Sequence, residues 1–274
     1  MAGMRRYLRL LASLGRFTLA RELAFRGNFL VKVSVEALWL AILLAFYRTV
    51  FARTSRIADW SEPQYLFFVG CYFALNGLIE TLFLSNCDDF AELVRTGDLD
   101  FLLLRPIDEQ FLITCRRVDW SSGPSVLMGA AVMGLALVDM GWFRGPPGEL
   151  ALRALGFVVL FGCGAAISYS FMVALTSVSV WMVRNQSLME MWWLFSSLAR
   201  YPREIFTRTW AEGIGRFFTF VLPILLVVNV PARAMVKALE PRLIGFTLLA
   251  TVVSFWASRR FFRHALRSYR SASS

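Results

Sequence analysis

Several apolar runs in this sequence are long enough to cross a lipid bilayer as helices, and this length limits what the chain can fold into. A membrane-crossing helix needs about 20 mainly apolar residues. Runs of this kind occupy 29–51, 64–84, 111–138 and 150–183. Hydrophobic residues make up 57% of the 274 residues, far more than a soluble core needs. The sequence therefore predicts an all-α integral membrane protein, with residues 1–274 forming a single transmembrane domain.

The charge at the two ends of the chain sets the parity of the crossings. Arginines are concentrated in the first 28 residues and again after residue 258. The positive-inside bias places both ends in the cytoplasm, which requires an even number of crossings. We therefore expect a fifth span at 188–201 and a sixth at 243–257, followed by a basic cytoplasmic tail up to residue 274.

Residues 201–242 are the least regular part of this prediction. The apolar run at 217–230 is expected to dip into the outer leaflet and return, because Pro223 and Pro231 interrupt it. This placement conflicts with the charge bias, since it leaves several arginines on the outer side. They are Arg200, Arg203, Arg208, Arg216 and Arg233.

The first 28 residues are amphipathic and have no uninterrupted apolar core. Apolar side chains share one helical face and arginines share another. The apolar face comprises Tyr7, Leu10, Leu11, Leu14 and Phe17, and the basic face comprises Arg5, Arg9 and Arg16. A secretory signal peptide needs a continuous apolar core, and a mitochondrial presequence seldom carries an acid such as Glu22. We interpret this segment as a helix that lies in the membrane interface.

The formal net charge of +10 comes almost entirely from arginine, because lysine occurs only at Lys32 and Lys237. A basic balance can indicate nucleic-acid binding, but these arginines cluster beside apolar spans, where anionic lipid headgroups account for them. Membrane lipids, and no nucleic acid, are the expected partners. The cysteines show no CxxC spacing and are interpreted as small apolar fillers. They are Cys71, Cys87, Cys115 and Cys163.

Residues 85–110 form a charged island between the second and third spans, reading SNCDDFAELVRTGDLDFLLLRPIDEQ. Phe90, Leu93 and Val94 fall on one helical stripe with charged residues around it. The pattern breaks at Gly97 and ends before Pro106, which predicts a short amphipathic helix with a defined end. A loop that only joined two spans could be short and polar. A structured, two-faced connector therefore indicates a cytoplasmic docking surface for another protein.

The sequence lacks the motifs of several enzyme classes. A phosphate-binding P-loop needs a Gly-Lys pair, and neither lysine follows a glycine. If the function is driven by ATP, another polypeptide must hydrolyse it. The single histidine, His264, lies in the basic tail, so an HExxH zinc motif is impossible, and no GxSxG elbow is present. We predict no catalytic residue, cofactor site or metal site in this chain.

Two polar pairs lie within the predicted spans, where charge is costly and often functional. Lys32 and Glu36 are four residues apart in the first span, and Asn76 and Glu80 are four apart in the second, so each pair shares a helical face. Internal pairing near the interface is the ordinary interpretation, and a transport pathway or proton relay is the alternative. Three further charges are expected at headgroup level in the first turns of the third span. They are Arg116, Arg117 and Asp119.

Small residues in the fourth span predict close packing against another helix. Gly162 and Ala166 have small-xxx-small spacing, and Gly164 and Ala165 lie between them. Such spacing lets helix backbones approach each other within a membrane.

The order of these elements resembles that of the permease subunits of type-2 ABC exporters, in particular the compact subfamily of viologen and multidrug exporter permeases. The resemblance runs through essentially the whole chain. Its most specific match is GDLDFLLLRPI at 97–107, after the second span. A weaker match is Tyr201-Pro202 with Ile205-Phe206, similar to a YP…IF pattern late in these permeases.

The resemblance implies partners, a location and an activity. The helix at 5–26 would be an elbow helix, and 85–110 would carry a coupling helix that meets an ABC ATPase subunit, which holds ATP and Mg²⁺. Such permeases work as dimers with an identical or homologous second permease in the bacterial plasma membrane. They move amphiphilic, drug-like, lipid or glycan cargo out of the cytoplasm or inner leaflet. The residues implied at the ATPase surface are Asp88, Asp89, Glu92, Arg95, Gly97, Asp98, Asp100, Arg105 and Pro106.

Two other classes of membrane protein stay open as alternatives. A proton-coupled secondary transporter would need buried acids, for which Glu36 and Glu80 are candidates, and usually has an internal repeat, which we do not find. A lipid-modifying membrane enzyme would place a cluster of His, Asp or Glu at one interface, which the sequence does not show. Copurification of an ATPase would favour the permease, whereas transport driven by a pH gradient would favour the carrier.

Overall fold

The structure of this chain is a computed structural model that describes residues 2–24, 26–182, 186–207, 212–237 and 240–269. Three sequence predictions reach outside these ranges, namely the end of the fourth span at residue 183, the side of the membrane on which Arg208 lies, and the end of the basic tail at 270–274. The described helices, in chain order, are α1 (Ala2–Ala24), α2 (Arg26–Phe51), α3 (Glu62–Ile79), α4 (Ser85–Asp88), α5 (Phe90–Thr96), α6 (Asp98–Leu103), α7 (Glu109–Thr114), α8 (Gly123–Asp139), α9 (Pro147–Val178), α10 (Gln186–Ala199), α11 (Arg203–Thr207), α12 (Glu212–Phe220), α13 (Ile224–Val236) and α14 (Pro241–Ser268). A π-helical turn, Glu80–Leu84, continues α3.

The described helices confirm an all-α, multi-pass membrane protein. Four helical segments are long and apolar enough to cross a membrane: α2, α3 with the turns that continue it, α9 and α14. The bent pair α12 and α13 raises this number to five if it counts as one span, and α8 is a shorter apolar helix. The total of six crossings stays a prediction.

The bent pair has the geometry of a broken span or of a re-entrant element, and the re-entrant element stays a prediction. The axes of α12 and α13 differ by 83° across a short break that contains Pro223. Both arms return to one end of the helix bundle. Gly215 of α12 packs against Phe206 in α11, and Lys237 at the end of α13 donates a hydrogen bond to the Asp59 carbonyl oxygen at 2.5 Å. Pro231 lies inside α13 and does not end it.

Helix α3 lies at the centre of the bundle, between α8 and α9, and most of its residues are buried. Glycines allow this packing. A Cβ atom on Gly129 of α8 would lie 2.5 Å from the backbone nitrogen of Ala74, and one on Gly70 would lie 2.7 Å from the carbonyl oxygen of Gly129. The thiols of Cys71 in α3, Cys87 in α4 and the other two cysteines are buried and form no disulfide bond with one another, which agrees with their predicted role as fillers.

The close contact on α9 is made by Gly164 and not by the predicted Gly162. A Cβ atom on Gly164 would collide with the carbonyl oxygen of Val227, whereas a Cβ on Gly162 would meet nothing within 4 Å. Pro231 follows Val227 by four residues in α13 and has no N–H, so this carbonyl loses its usual helical donor. Gly164 leaves room for the Val227 carbonyl oxygen, which has no helical hydrogen-bond donor because of Pro231.

The predicted third span at 111–138 is wrong in its first half. The chain forms the short helix α7, then a non-helical stretch at 115–122, and only then the apolar helix α8. Polar groups of the preceding span hold this stretch. The buried Asn86 side chain donates to the Arg117 carbonyl oxygen at 2.7 Å and accepts from the Arg117 N–H at 2.8 Å, and Asp119 N–H donates to the Thr81 carbonyl oxygen at 2.8 Å. Because these backbone groups already have partners, no helix is required there.

Both described ends of the chain lie at the same end of the bundle. Tyr7 of α1 accepts a hydrogen bond from the Asp108 N–H at 3.2 Å, and the Asp108 carboxylate binds Arg259 of α14 at 2.5 Å. The predicted apolar face of α1 is partly buried, except for Phe17, which is 70% exposed. This arrangement agrees with an even number of crossings.

Replacing Gly164 with alanine is expected to destabilise the bundle by about 1–3 kcal/mol, because the added methyl group overlaps a backbone oxygen that cannot retreat. The matched variant Gly162→Ala, two residues earlier on the same helix, should be neutral or stabilising by up to about 1 kcal/mol through helix propensity. Thermal unfolding of both variants in one detergent would measure the difference. Equal stabilities would show that α9 and α13 do not approach each other as described.

Candidate functional site

The charged island at 85–110 is held on two of the long helices by a buried apolar cluster, which we call the mount. Phe90 of α5 and Leu99 of α6 are completely buried and pack with Val173 of α9 and Phe262 of α14. Gly97 joins the two short helices at φ +81°, a left-handed conformation that glycine adopts without strain. The predicted apolar stripe and the predicted break at Gly97 are both confirmed.

The opposite side of the island carries exposed charges. Glu92 and Arg95 form an ion pair at 2.5 Å, one turn apart, and both side chains are more than half exposed. Thr96 donates a hydrogen bond to Asp98 at 3.0 Å, which orients that exposed carboxylate at the start of α6. Asp88, Arg105 and Pro106 are exposed as well. These residues of the implied ATPase surface are therefore accessible in the isolated chain.

Two residues of the implied surface face inward. The Asp89 carboxylate binds Arg116 at 3.0 Å and Arg117 at 2.6 Å, so it clamps the non-helical stretch before α8. Asp100 is half-buried and lies beside Tyr269 at the end of α14, and burial together with this carboxylate raises the pKa of the Tyr269 hydroxyl. Both carboxylates have partners within the chain, so they help to hold the island on the rest of the bundle.

The sequence prediction missed an exposed apolar pair on the same island. Phe101 is 69% exposed and Leu104 is 82% exposed, although their neighbours Leu99 and Leu102 are buried. Phe101 and Leu104 are three residues apart, as are Leu99 and Leu102, so α6 presents one apolar face to the bundle and a second one outward. The letters DLDFLLL contain this double periodicity, but the predicted surface residues of this segment were its charges, Gly97 and Pro106 only.

Asp108 connects the island to the first and last helices. Its carboxylate caps α7 by accepting a hydrogen bond from the Phe111 N–H at 3.1 Å and also binds Arg259 of α14, while its own N–H binds Tyr7 of α1. Burial alone would raise the pKa of Asp108, but the guanidinium of Arg259 and the Phe111 N–H outweigh it and hold the pKa below its ordinary value. The sequence offered one signal for this residue, an aspartate directly before a helix start.

The polar residues of the first two spans meet in a way the sequence did not predict. Lys32 binds Asp119 at 3.4 Å and Ser121 at 2.9 Å and does not pair with Glu36. Glu36, Asn76 and Glu80 instead line one cavity, where Ser125 of α8 donates to Glu36 at 3.3 Å. In the part of the chain that the structure describes, no group of three or more His, Cys, Asp or Glu side chains could hold a metal ion.

A buried glutamate organises the opposite end of the bundle. Glu204 is 6% exposed and accepts hydrogen bonds from Trp60 Nε1 at 3.1 Å and Asn229 Nδ2 at 3.0 Å, and it pairs with Arg233. Lys237 lies over the Trp60 ring, 4.1 Å from its centroid. Glu204 belongs to the Tyr201 to Phe206 motif. Its carboxylate therefore connects α11 with α13 and with the loop after α2.

Asp108→Asn is expected to lower the free energy of unfolding by about 1–2 kcal/mol, because asparagine keeps the helix cap but loses the charged hydrogen bond to Arg259. Since the folded-state pKa of Asp108 is depressed, this advantage of the wild type is present at neutral pH and disappears as the pH falls below about 4. Unfolding in micelles at pH 7 and pH 3 measures both effects. Glu212→Gln, which removes an exposed ion pair with Arg216, should change stability by less than about 0.5 kcal/mol.

The comparison with family models gives a match over most of the chain. The model described as ABC-2 family transporter protein matches residues 37–273. Comparisons with curated proteins and with solved structures gave no match. The matched range begins within α2 and includes the island, the bent pair and α14. The chain therefore belongs to the ABC-2 family of transporter proteins, as a membrane permease of an ABC transporter.

Proposed function

We propose that this chain is the permease subunit of an ATP-driven exporter, in which a separate ABC ATPase binds the exposed side of the island. Permeases of this family are membrane components without their own nucleotide-binding site and are normally paired with an ATPase subunit. A second permease, identical or homologous, completes the transport path. Both termini and the island lie in the cytoplasm of a bacterial cell, and cargo moves outward.

The observation that carries this proposal is the exposed pair Phe101 and Leu104 on a segment that also carries exposed charges. Large apolar side chains that project from a charged, water-facing helix are the usual centre of a protein–protein contact, with polar residues at its rim. Asp98, Glu92 and Arg105 supply such a rim. An ATPase with a matching apolar depression would bury the pair and satisfy the charges around it.

The mount explains how a movement of the ATPase could reach the membrane. The island shares a buried cluster with α9 and α14 through Phe90 and Leu99, and Asp108 ties it to α1 and α14. A displacement of the island therefore acts on three helices together. ATP supplies the work when the ATPase has different affinities for two packed arrangements of the permease.

The proton-coupled carrier stays the second candidate, because Glu36 and Glu80 do line one cavity, as that class requires. A carrier of this kind would not need the exposed side chains of Phe101 and Leu104. Tagged full-length chain, purified from its native membrane with mild detergent, separates the two candidates. An ATPase subunit in stoichiometric amount supports the permease, and uptake driven by a pH gradient in vesicles that contain this chain alone supports the carrier.

The double variant Phe101→Ser and Leu104→Ser is expected to reduce the yield of copurified ATPase about tenfold or more, since two apolar side chains would no longer be buried on binding. The matched control is Phe143→Ser, a side chain with 61% exposure in the turn between α8 and α9. It should leave the yield unchanged. If the double variant retains the full amount of ATPase, the docking surface lies elsewhere.

Asp98→Arg is expected to leave the chain folded but to lower the amount of cargo moved per ATP hydrolysed to less than about half. Asp98 is exposed and its partner is a threonine in the same turn, so the charge reversal acts on the contact and not on the fold. Asp100→Arg is a poorer test because Asp100 lies against Tyr269. Transport and ATP hydrolysis in reconstituted vesicles give the ratio, and a ratio equal to that of the wild type would remove Asp98 from the coupling surface.

A further inference from the structure

An apolar cavity of about 300 Å³ lies on the side of the bundle where α9 and α14 pack together. Its walls come from α9, α10, α14 and the break between α12 and α13, and none of its lining residues is charged. The rings of Phe171 in α9 and Phe195 in α10 stack beside it with their centroids 4.1 Å apart, and Val221 at the break is 65% exposed. The hydroxyls of Ser170 and Ser258 donate to carbonyl oxygens of their own helices at 2.7 Å and 3.1 Å, so they need no partner from a ligand. The cavity therefore suits a hydrocarbon chain.

A basic surface adjoins this cavity and shares Ala257 and Phe261 with it. All the residues that line this surface belong to α14, and no carboxylate is among them. Asp108 binds Arg259 and lies close to Arg263, which places the surface at the end of the bundle that carries the island. An apolar cavity thus continues into a positively charged surface along one helix. The arginines of this surface are Arg259, Arg260, Arg263 and Arg267.

Two of these arginines have no anionic partner in the part of the chain that the structure describes. Arg260 and Arg267 are exposed, lie seven residues apart and share a face of α14. Neither forms an ion pair with a described residue. Asp100 lies beside Tyr269, but Tyr269 is two residues from Arg267 and therefore on the opposite face of the helix. Uncompensated positive charge at the end of a membrane helix attracts anionic lipid headgroups.

The face of α14 that carries these two arginines is apolar nearer the middle of the helix. Leu249, Val253 and Trp256 precede Arg260 on this face at spacings of four, three and four residues. Their side chains are 59%, 52% and 65% exposed. An exposed stripe that changes from apolar to basic after a tryptophan is typical of the boundary between acyl chains and headgroups. The headgroup level on this side of the bundle is therefore at Arg260.

The geometry points to the cavity and the basic surface as one binding site for an anionic phospholipid of the surrounding bilayer. Its phosphate lies between Arg260 and Arg267, and one acyl chain enters the cavity past Ala257 and Phe261. The basic surface alone would attract any anion, and the cavity alone would accept any hydrocarbon chain. An anionic phospholipid uses both, whereas the ammonium group of a zwitterionic lipid would be repelled by the arginines.

Neither an ATPase nor a transported cargo is needed to test this site, so the inference goes beyond the proposed function. Full-length chain in non-ionic detergent micelles is equilibrated with equal amounts of phosphatidylglycerol and phosphatidylethanolamine that carry the same acyl chains. Native mass spectrometry then counts the retained lipids. We expect the wild type to retain phosphatidylglycerol about tenfold more, because two uncompensated arginines attract its net charge. Equal retention of the two lipids would overturn the assignment.

Variants of two arginines test the headgroup end of the site. Arg260→Gln combined with Arg267→Gln should reduce the preference for phosphatidylglycerol to about threefold or less, since each arginine contributes a few-fold. The matched control is Arg242→Gln, an exposed arginine at the opposite end of the same helix, which should keep the preference. A double variant that behaves like this control would refute the site.

A variant of the shared residue Ala257 tests whether the acyl chain enters the cavity. Ala257→Phe keeps every arginine but fills the passage between the two parts, and it should lower the retained phosphatidylglycerol about fivefold or more because apolar contact is lost. Ala257 is exposed, so the larger side chain has room. Ala151→Phe, an exposed alanine near the start of α9, is the matched control and should have no effect. If both variants retain the full amount, charge alone holds the lipid and the combined site is wrong.

Copurification from native membranes separates this inference from the proposed function. The double arginine variant should retain the ATPase and the second permease in wild-type amounts. Loss of either protein with an unchanged lipid preference would assign the basic surface to that protein and reject the lipid site. Lipid preference without any copurified ATPase would keep the lipid site and reject the permease.

Discussion

The burial of Phe90 and Leu99 against α9 and α14 is the contact on which the rest of this molecule depends. Without it, the charged island would be a polar loop between two spans, free to move independently of them. With it, the island is packed onto α9 and α14, and Asp108 adds a connection to α1. Apolar packing supplies the centre of this attachment, and the ion pairs of Asp89 and Asp108 add to it at its edge.

The sequence predicted this arrangement where periodicity and composition carry the information. Apolar length identified the long helices, and the stripe from Phe90 to Val94 with its break at Gly97 identified the mount. The start of α8 was misplaced because the letters FLITC after residue 110 are as apolar as a span. The backbone of Arg117 and Asp119, just after these letters, is held by Asn86 and Thr81, and hydrogen bonds between residues so far apart in sequence leave no local pattern.

The partners of the buried charges could not be read from spacing for the same reason. Lys32 and Glu36 share a helical face, yet Lys32 binds Asp119, which lies 87 residues away in sequence. At the other end of the bundle, three of the five arginines that conflicted with the charge bias have partners among the described residues. Arg233 pairs with Glu204, Arg216 with Glu212, and Arg200 lies over the rings of Trp39 and Tyr201.

Gly164 in α9 shows how a neighbouring helix can accommodate a proline, here Pro231 in α13. Pro231 releases a carbonyl oxygen within α13, and α9 meets it with a residue that has no side chain. The proline and the glycine lie 67 positions apart but form one structural unit, so a change at either site acts on the other. Neither residue has an evident purpose when its own helix is considered alone.

The burial of all four native thiols has a practical consequence for mapping this protein in its membrane. Cys71, Cys87, Cys115 and Cys163 are shielded by packed side chains, so a bulky maleimide that cannot pass the bilayer will find little to react with in the unmodified chain. A cysteine placed at an exposed position such as 92 or 143 would then be labelled against a low background from the native cysteines. The side of the membrane on which each loop lies can be determined without first constructing a cysteine-free variant.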